Sequence, residues 1–261
     1  MAAHICADSA SRGRLVELLE MPYGVPTEEL APVALRALGG ESVLVRPGTA
    51  DADVLVGAFH GRYHLPHERL PSPGLIWDLG ANIGLTMRQM AAVHPSARIV
   101  GVELDPENLE LARRNLESVV GRTELVEGAV WPEPGTVGYA APDGAAEDAF
   151  RVSTASAGAD GGSVAAITLD ELRDRFGTPD YVKMDIEGAE AEVLRRNTGW
   201  AGGVPRMGVE YHAPYTLEDC RADLRELGFD HFEVARRSLL RRGSDSLYAT
   251  RSPAASPASA A

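Results

Sequence analysis

The chain has 261 residues, of which 44% are hydrophobic and 24% are charged, and its formal net charge is −13. This length allows one large or two small domains, and the composition is that of an ordinary globular protein. Because so acidic a surface repels phosphate backbones, we expect no nucleic-acid partner.

Residues 1–70 are predicted to form an N-terminal α/β leader that covers part of the main domain. The spacing of leucine and valine predicts a helix over Ser11–Met21. Alternation predicts a short strand over Glu41–Arg46, which Pro47-Gly48 would stop. The loop at 60–67 is rich in groups that bind or titrate. It is either a surface loop or a cover over a ligand.

A regular alternation of strands and helices defines the main domain, residues 71–250. It predicts a doubly wound α/β sheet, mostly parallel, with helices on both faces. Two strands in succession near the end predict that the last one inserts antiparallel. The predicted strands are Leu75–Leu79, Arg98–Leu104, Glu124–Val130, Tyr181–Ile186, Met207–Tyr211, His231–Ala235 and Ser246–Thr250. The predicted helices are Ile83–Val93, Pro106–Leu116, Thr168–Phe176, Ala189–Arg196 and Leu217–Leu227.

One section, residues 131–164, interrupts this alternation and is rich in Gly, Ala, Pro, Asp and Ser. We expect short strands at Val137–Ala140 and Phe150–Ser153, and a mobile stretch at Ala155–Ser163. The section is either a flexible insertion or a loop that gates the substrate. Residues 251–261, rich in Ser, Pro and Ala, are predicted to be a disordered tail.

The stretch Trp77–Thr86 is the most informative part of the chain. There an apolar strand runs into a turn that contains Gly80 and Gly84. Glu103 follows at the end of the next apolar run. This arrangement is typical of nucleoside sites, because the turn lets the ligand approach the backbone and the acid accepts hydrogen bonds from ribose hydroxyls. The alternative is an ordinary strand-to-helix turn, in which the glycines are needed only for the backbone conformation and not for a ligand.

The glycine spacing narrows the choice of ligand. A dinucleotide site has three glycines as G-x-G-x-x-G, and their amides bind a pyrophosphate. Here Asn82 takes the middle position, and Asp78 lies just before the turn. A carboxylate facing the pocket repels a pyrophosphate and suits S-adenosylmethionine, which carries an ammonium and a sulfonium beside a ribose. We therefore expect S-adenosylmethionine as the cofactor, with NAD as the alternative.

Further candidate residues lie at other predicted strand ends, because ligands of a doubly wound sheet bind beyond the carboxyl ends of its strands. Asp185 and Glu187 alternate with Ile186, so we expect both to face the site. Histidine titrates near neutrality, so His212 could take a proton from an alcohol. A structural or surface histidine is the alternative. These strand-end candidates are Ala129, Asp185, Glu187, Glu210 and His212.

A metal site at these strand ends is a weaker alternative. Asp185, Glu210 and His212 could hold a divalent cation that lowers the pKa of a substrate hydroxyl. We do not expect a bound metal.

The spacing of the cysteines and the hydropathy of the chain indicate the cellular compartment in which the protein works. Cys6 and Cys220 have no paired spacing, which argues against a disulfide framework or a zinc site. The first ten residues contain no apolar segment of signal-peptide length, and no run approaches the ~20 apolar residues that span a bilayer. We therefore expect a soluble cytoplasmic protein with no membrane partner. A homo-oligomer is left open.

Several motifs together resemble the FkbM family of S-adenosylmethionine-dependent methyltransferases. They are the glycine turn, Thr168–Asp170, Val182–Glu190 with Val193-Leu194, and in the leader Arg46–Asp51 with Arg62-Tyr63. The resemblance covers residues 41–212 well. It implies a class I methyltransferase (Rossmann-like) fold, with a seven-stranded sheet that has one antiparallel strand. It also implies methyl transfer, usually to oxygen, on a sugar, polyketide or other natural product.

The resemblance also implies roles for single residues. The turn would hold the methionine part of the cofactor, and Glu103 its ribose. Asp185 and Glu187 would lie at the reacting centre. From position and chemistry, and not from the resemblance, we expect His212 or Asp185 as the base, with Glu210 beside them. The predicted cofactor-binding residues are Tyr63, Asp78, Gly80, Asn82, Gly84, Glu103, Ala129 and Asp185.

The sequence therefore predicts an S-adenosylmethionine-dependent methyltransferase that acts on a hydroxyl of a small-molecule natural product or sugar. N-methylation of an amino sugar or similar amine stays open, because the same carboxylates could orient and deprotonate an amine. Two other classes are disfavoured. Asn82 argues against an NAD(P)-dependent oxidoreductase, and the acids at successive strand ends argue against a non-catalytic binding module.

Overall fold

The structure is a computed structural model that describes residues 1–24, 29–66, 70–140, 151–153, 162–235 and 245–252. The strands are β1 (Ala31–Ala34), β2 (Ser42–Val45), β3 (Leu75–Leu79), β4 (Arg98–Glu103), β5 (Thr123–Glu127), β6 (Ala129–Val130), β7 (Gly135–Ala140), β8 (Arg151–Ser153), β9 (Gly162–Ile167), β10 (Tyr181–Met184), β11 (Arg206–Glu210), β12 (His231–Ala235) and β13 (Ser246–Thr250). The α-helices are α1 (Ala2–Ile5), α2 (Ser9–Glu20), α3 (Asp51–Val56), α4 (Leu85–Val93), α5 (Pro106–Asn115), α6 (Leu169–Phe176), α7 (Glu190–Arg195) and α8 (Leu217–Glu226).

Seven strands form the central sheet, in the order β12-β13-β11-β10-β3-β4-β5. The five strands from β11 to β5 in this order pair in parallel. β13 runs antiparallel to both of its neighbours, β11 and β12. The predicted mostly parallel sheet of seven strands with one antiparallel strand is therefore confirmed.

The order of the strands places a ligand site at the centre of the sheet. All five residues of β3 are buried, as expected for an apolar strand covered on both faces. The chain proceeds from β3 to β4 on one side, and β10 lies on the other side. The carboxyl ends of β3 and β10 therefore flank a topological switch point, where ligands of such sheets bind.

Most predicted elements are present with nearly the predicted bounds, and β3, β12 and β13 match residue for residue. The helix predicted after Thr168 begins with the expected capping box. The hydroxyl of Thr168 accepts from the Glu171 amide at 3.2 Å, and the Glu171 carboxylate accepts from the Thr168 amide at 2.9 Å. Among the residues that the structure describes, none of the helices combines the length and the apolar character needed to span a bilayer.

The predicted strand Glu124–Val130 is wrong as a single element, because the chain changes sheets within it. β5 ends at Glu127, and β6 starts a second sheet of order β6-β9-β7-β8. The break is at Gly128, whose φ is 153°. A Cβ there would lie 2.4 Å from Cγ1 of Ile167 on β9, so a glycine is needed for the two segments to meet.

The interrupting section contains more strand than its composition suggested. The two predicted short strands appear as β7 and β8, and β9 was not predicted. Of the stretch predicted to be mobile, residues 155–161 lie outside the described residues, whereas Gly162 and Ser163 open β9. β9 consists mostly of small residues, so β-propensity gave no signal, although its burial alternates along the strand.

The predicted tail begins with two residues that belong to the fold. Arg251 donates to the carbonyl oxygens of Ala201 at 3.1 Å and Val204 at 3.2 Å, and the Ser252 amide donates to Asp230 at 2.9 Å. Residues 253–261 lie outside the described part of the chain.

The leader shares a hydrophobic core with the main domain. Leu55 of α3 is fully buried in one cluster with Ile83 and Leu85 from the turn and helix that follow β3. The side chain of Asn115 on α5 also exchanges hydrogen bonds with the backbone of Leu44 on β2, at 2.7 and 3.1 Å. We infer that the leader and the main domain unfold together.

Leu55→Ala should lower the free energy of unfolding by about 2–5 kcal/mol, the usual cost of removing a fully buried leucine side chain. The protein's three tryptophans, Trp77, Trp131 and Trp200, all lie in the main domain. Urea unfolding, followed by tryptophan fluorescence, should therefore show a lower unfolding midpoint, although the substitution is in the leader. Val120→Ala, at a side chain that is 70% exposed, is the control. An unchanged fluorescence midpoint would mean that the leader unfolds by itself.

Candidate active site

The turn after β3 adopts left-handed backbone conformations. The φ angles are 82° at Gly80, 49° at Asn82 and 79° at Gly84. Glycine adopts this region freely, and asparagine is among the residues that tolerate it. A Cβ on Gly80 would lie 1.8 Å from the backbone oxygen of Asp185, so only glycine lets this turn contact the loop after β10.

Gly84 has a different environment from the other residues of the turn. A Cβ there would lie 3.2 Å from both Cα and Cβ of Ala112 on α5. Gly84 therefore allows α4 to start close against α5. It does not line the cleft described next.

A cleft opens beyond the ends of β3, β4 and β10. It contains about 560 Å³ of empty space, open solvent included. The residues that line it are Gly80, Asn82, Val102, Glu103, Leu104, Asn108, Gly128, Ala129, Val130, Asp185, Ile186 and Glu187. Five predicted cofactor-binding residues are thus brought together: Gly80, Asn82, Glu103, Ala129 and Asp185.

Glu103 is held rigidly at the end of β4. Its Oε2 accepts from the Asn82 amide at 2.7 Å, and its Oε1 accepts from the Asp105 amide at 2.9 Å. Burial raises the pKa of Glu103, and these two amides act in the opposite direction. Each carboxylate oxygen has two lone pairs, so the carboxylate keeps the capacity to accept a hydrogen bond from a ligand hydroxyl.

Asp78 does not face the cleft, contrary to the sequence-based expectation. It is fully buried, its carboxylate accepts the Thr86 hydroxyl, and its Oδ1 lies 3.1 Å from Nζ of Lys183. Burial alone would lower the pKa of Lys183, but the carboxylates of Asp78 and Asp185 outweigh it and raise that pKa. Burial raises the pKa of Asp78, and Lys183 and the Thr86 hydroxyl act in the opposite direction. Lys183 and Asp78 form a buried ion pair, and the acids on the cleft wall are Glu103, Asp185 and Glu187.

Tyr63 also lies outside the lining of this cleft. It lines a second one with Leu65 and Tyr248, and its backbone oxygen accepts the Tyr248 hydroxyl. The neighbouring His64 is 1% exposed, and its backbone oxygen accepts the Tyr181 hydroxyl at 2.9 Å. This part of the leader loop is therefore anchored on the sheet rather than free at the surface.

Four carboxylates surround the ring of His212, which follows β11. Nδ1 lies 2.9 Å from Oε1 of Glu190. Nε2 lies 3.4 Å from Glu187, 3.8 Å from Asp185 and 4.0 Å from Glu210. All four predicted catalytic residues therefore meet in one carboxylate–histidine cluster. Asp185 and Glu187 belong both to this cluster and to the cleft.

Glu190 ends the motif Val182–Glu190, but it was not among the predicted site residues. It is fully buried, and its Oε1 also accepts from the amides of Ile186 and Gly188, both at 3.2 Å. A carboxylate in the first turn of a helix is common, and this explains why its contact with His212 was not foreseen. Lys183 was also missed, although a lysine within the apolar run of β10 was an available signal.

The charge state of His212 decides what it can do. Burial alone would lower the pKa of His212, but the hydrogen bond to Glu190 and the charges of Asp185 and Glu187 raise it to about 10. His212 is therefore an imidazolium at neutral pH. In that state it holds the carboxylates together and has no free lone pair with which to accept a proton.

His212→Gln should destabilise the protein most at low pH. Because the folded-state pKa is raised, the stabilisation is fully present below the unfolded pKa of about 6.5 and is lost as pH rises to about 10. The difference in free energy of unfolding between wild type and variant should therefore shrink from pH 6 to pH 10 in urea titrations. His231→Gln, at an exposed histidine, is the control. A difference that is independent of pH would contradict the raised pKa.

The same cluster contains the atoms that could hold a divalent cation. Asp185, Glu187 and His212 each offer one ligand atom, and these atoms lie within 4.8 Å of one another. In this set Glu187 replaces Glu210, which we expected to be the third ligand. A metal ligand must be deprotonated, so a cation at Nε2 and the imidazolium form of His212 exclude each other.

Comparisons with known proteins identify the family of this chain. The profile of the methyltransferase FkbM domain family matches residues 78–242, which include the glycine turn and the carboxylate–histidine cluster. A hexuronic acid methyltransferase, AglP, of Haloferax volcanii is 26% identical over 161 residues, which are 61% of this chain and 64% of that protein. The chain therefore matches somewhat less than two thirds of the length of this relative.

Solved structures were also compared with the chain. The fibrillarin pre-rRNA processing protein of Methanococcus jannaschii superposes with a TM-score of 0.51 at 11% identity, over 87% of this chain and 85% of that one. A precorrin-6y C5,15-methyltransferase from Geobacter metallireducens GS-15 has a TM-score of 0.45 at 17% identity, over 70% of this chain and 82% of that one.

Proposed function

From the premise that this chain belongs to the FkbM family of S-adenosylmethionine-dependent methyltransferases, we propose that it methylates a hydroxyl of a sugar or other small natural product. One observation carries the proposal. Asp185 and Glu187 line the cleft beside the glycine turn and are also members of the carboxylate–histidine cluster. A cofactor site and an acceptor site can therefore share one wall.

The cleft has the groups that S-adenosylmethionine requires. Glu103 would bind the ribose hydroxyls, and the turn at Gly80 and Asn82 would hold the methionine part. Glu187 would face the positive charges of the cofactor, with Asp185 beside it on the acceptor side of the same wall. When bound, the cofactor supplies an electrophilic methyl group, and the protein contributes mainly the alignment of the two reactants.

On the acceptor side, we assign the proton-accepting role to Asp185. His212 is protonated at neutral pH, so it is not the base, although the sequence allowed either residue. Asp185 is partly exposed at the cleft and within 3.8 Å of Nε2 of His212. The imidazolium orients Asp185, Glu187 and Glu210, and Asp185 takes the hydroxyl proton as the new bond forms.

Two considerations bear on the acceptor. The relative from Haloferax volcanii is named for a hexuronic acid, which supports a sugar. The four carboxylates around His212 would attract an ammonium group, which favours N-methylation of an amino sugar as the second candidate. Family membership decides against the NAD(P)-dependent oxidoreductase.

The test has two stages. Calorimetry should detect binding of S-adenosylmethionine but not of NAD or NADP. The protein and methyl-labelled cofactor are then incubated with neutral hexoses, amino sugars and hexuronic acids, and mass spectrometry looks for the gain of one methyl group. We expect a neutral sugar to be labelled, with EDTA present or absent, because the imidazolium takes the place of a cation. Labelling of amino sugars alone would support the second candidate, and binding of NADP alone would end the proposal.

A further inference from the structure

Lys183 lies between the cofactor turn and the acid assigned to the reacting centre. Its Nζ donates to the backbone oxygen of Gly80 at 2.6 Å. It also lies 3.1 Å from Oδ1 of Asp78 and 3.6 Å from Oδ2 of Asp185. An ammonium group has three N–H donors, and three acceptors from two segments, β3 with its turn and the end of β10, surround this one.

The backbone places these groups close together. β10 and β3 are parallel neighbours, and Lys183 is in register with Asp78. The Asp185 amide donates to the Leu79 oxygen at 3.0 Å, and Gly80 contacts the Asp185 backbone oxygen. The lysine therefore links two segments at the point where the cleft and the carboxylate–histidine cluster meet.

If the role of Lys183 were only to neutralise the charge of Asp78, the arrangement would not need a lysine. The Asp78 carboxylate is fully buried and does not line the cleft, so an apolar pair in place of Asp78 and Lys183 would fill the same space without a charge. The contact with the Gly80 oxygen is different, because it fixes the carbonyl of a residue on the cleft wall.

We propose that Lys183 is a positioning residue, which sets the Gly80 turn and the Asp185 carboxylate in fixed relation to each other. The proposal rests on the proposed function, since it assigns the turn to the cofactor and Asp185 to the acceptor. Methyl transfer depends on alignment, and a misplacement of about 1 Å can cost about 100-fold in rate. Lys183 acts through the groups that it holds and does not touch the reactants.

The test compares Asp78→Asn with the paired variant Asp78→Asn/Lys183→Met in the full chain. Asp78→Asn keeps the contact between Lys183 and Gly80, and the pair removes it without leaving a buried aspartate charge beneath the turn. We expect the paired variant to bind S-adenosylmethionine at least tenfold more weakly than Asp78→Asn does, by calorimetry. Hydrogen exchange should also be faster around 80–84 and 185–188 in the paired variant, with exchange in α8 unchanged.

Equal affinities in the two variants, or unchanged exchange at both segments, would overturn the positioning role. A second pair, Asp78→Asn/Lys183→Gln, keeps a polar side chain at 183. If neither pair folds, Lys183 is a requirement of the fold and the proposal is likewise overturned. Failure of the wild-type protein to bind S-adenosylmethionine would instead count against the proposed function.

Discussion

Glu103→Gln is expected to weaken the binding of S-adenosylmethionine by about 100-fold or more in calorimetry. The substitution keeps the shape of the side chain but replaces one carboxylate oxygen with an amide donor. That donor would face the backbone amide of either Asn82 or Asp105, and the charged acceptor for the ribose hydroxyls is lost. Hydrogen bonds to charged groups contribute about 1.5–3 kcal/mol each, and a 100-fold loss corresponds to about 2.7 kcal/mol.

Glu127→Gln is the matched control for this experiment. Glu127 is in register with Glu103 on the neighbouring strand β5, but it is exposed and does not line the cleft. The Glu127→Gln protein should bind the cofactor as the wild type does. A folded Glu103→Gln protein with normal affinity would show that the ribose is not held at the end of β4.

The sheet was predictable because its strands carry strong local signals. β3 and β10 are apolar runs that end in acids or glycine, and the alternation with helices implied a parallel order. The rule that ligands bind at the carboxyl ends of such strands then selected Glu103, Asp185, Glu187, Glu210 and His212. The structure brings these residues to one edge of the sheet, where the cleft and the carboxylate–histidine cluster meet.

What the sequence could not give is the direction in which a side chain points at a strand end. Asp78 is the fourth residue of β3, and it faces a buried lysine on β10 that only the strand order brings beside it. The charge of His212 depends in the same way on Glu190, which lies 22 residues earlier on another element. Such pairings are tertiary, so local patterns do not contain them.

Asp185→Asn should have the opposite kinetic pattern to Glu103→Gln. Asparagine keeps the size of the side chain but cannot take a proton, so we expect kcat to fall by about 100- to 10,000-fold, the usual contribution of a general base. The measurement uses the acceptor that the labelling panel identifies, with cofactor affinity determined in parallel. Lys183 keeps Asp78 as its closer ion-pair partner in this variant, so the turn should stay in place.

The loss should therefore fall on kcat far more than on the affinity for S-adenosylmethionine, whereas Glu103→Gln should lose affinity first. Glu192→Gln, on the exposed side of α7 in an ion pair with Arg196, removes one negative charge from the same region and should leave both quantities unchanged. If the Asp185→Asn protein turns over at the wild-type rate, a group other than Asp185 accepts the hydroxyl proton. Glu187, which is also on the cleft wall and 3.4 Å from His212, would then be the group to substitute.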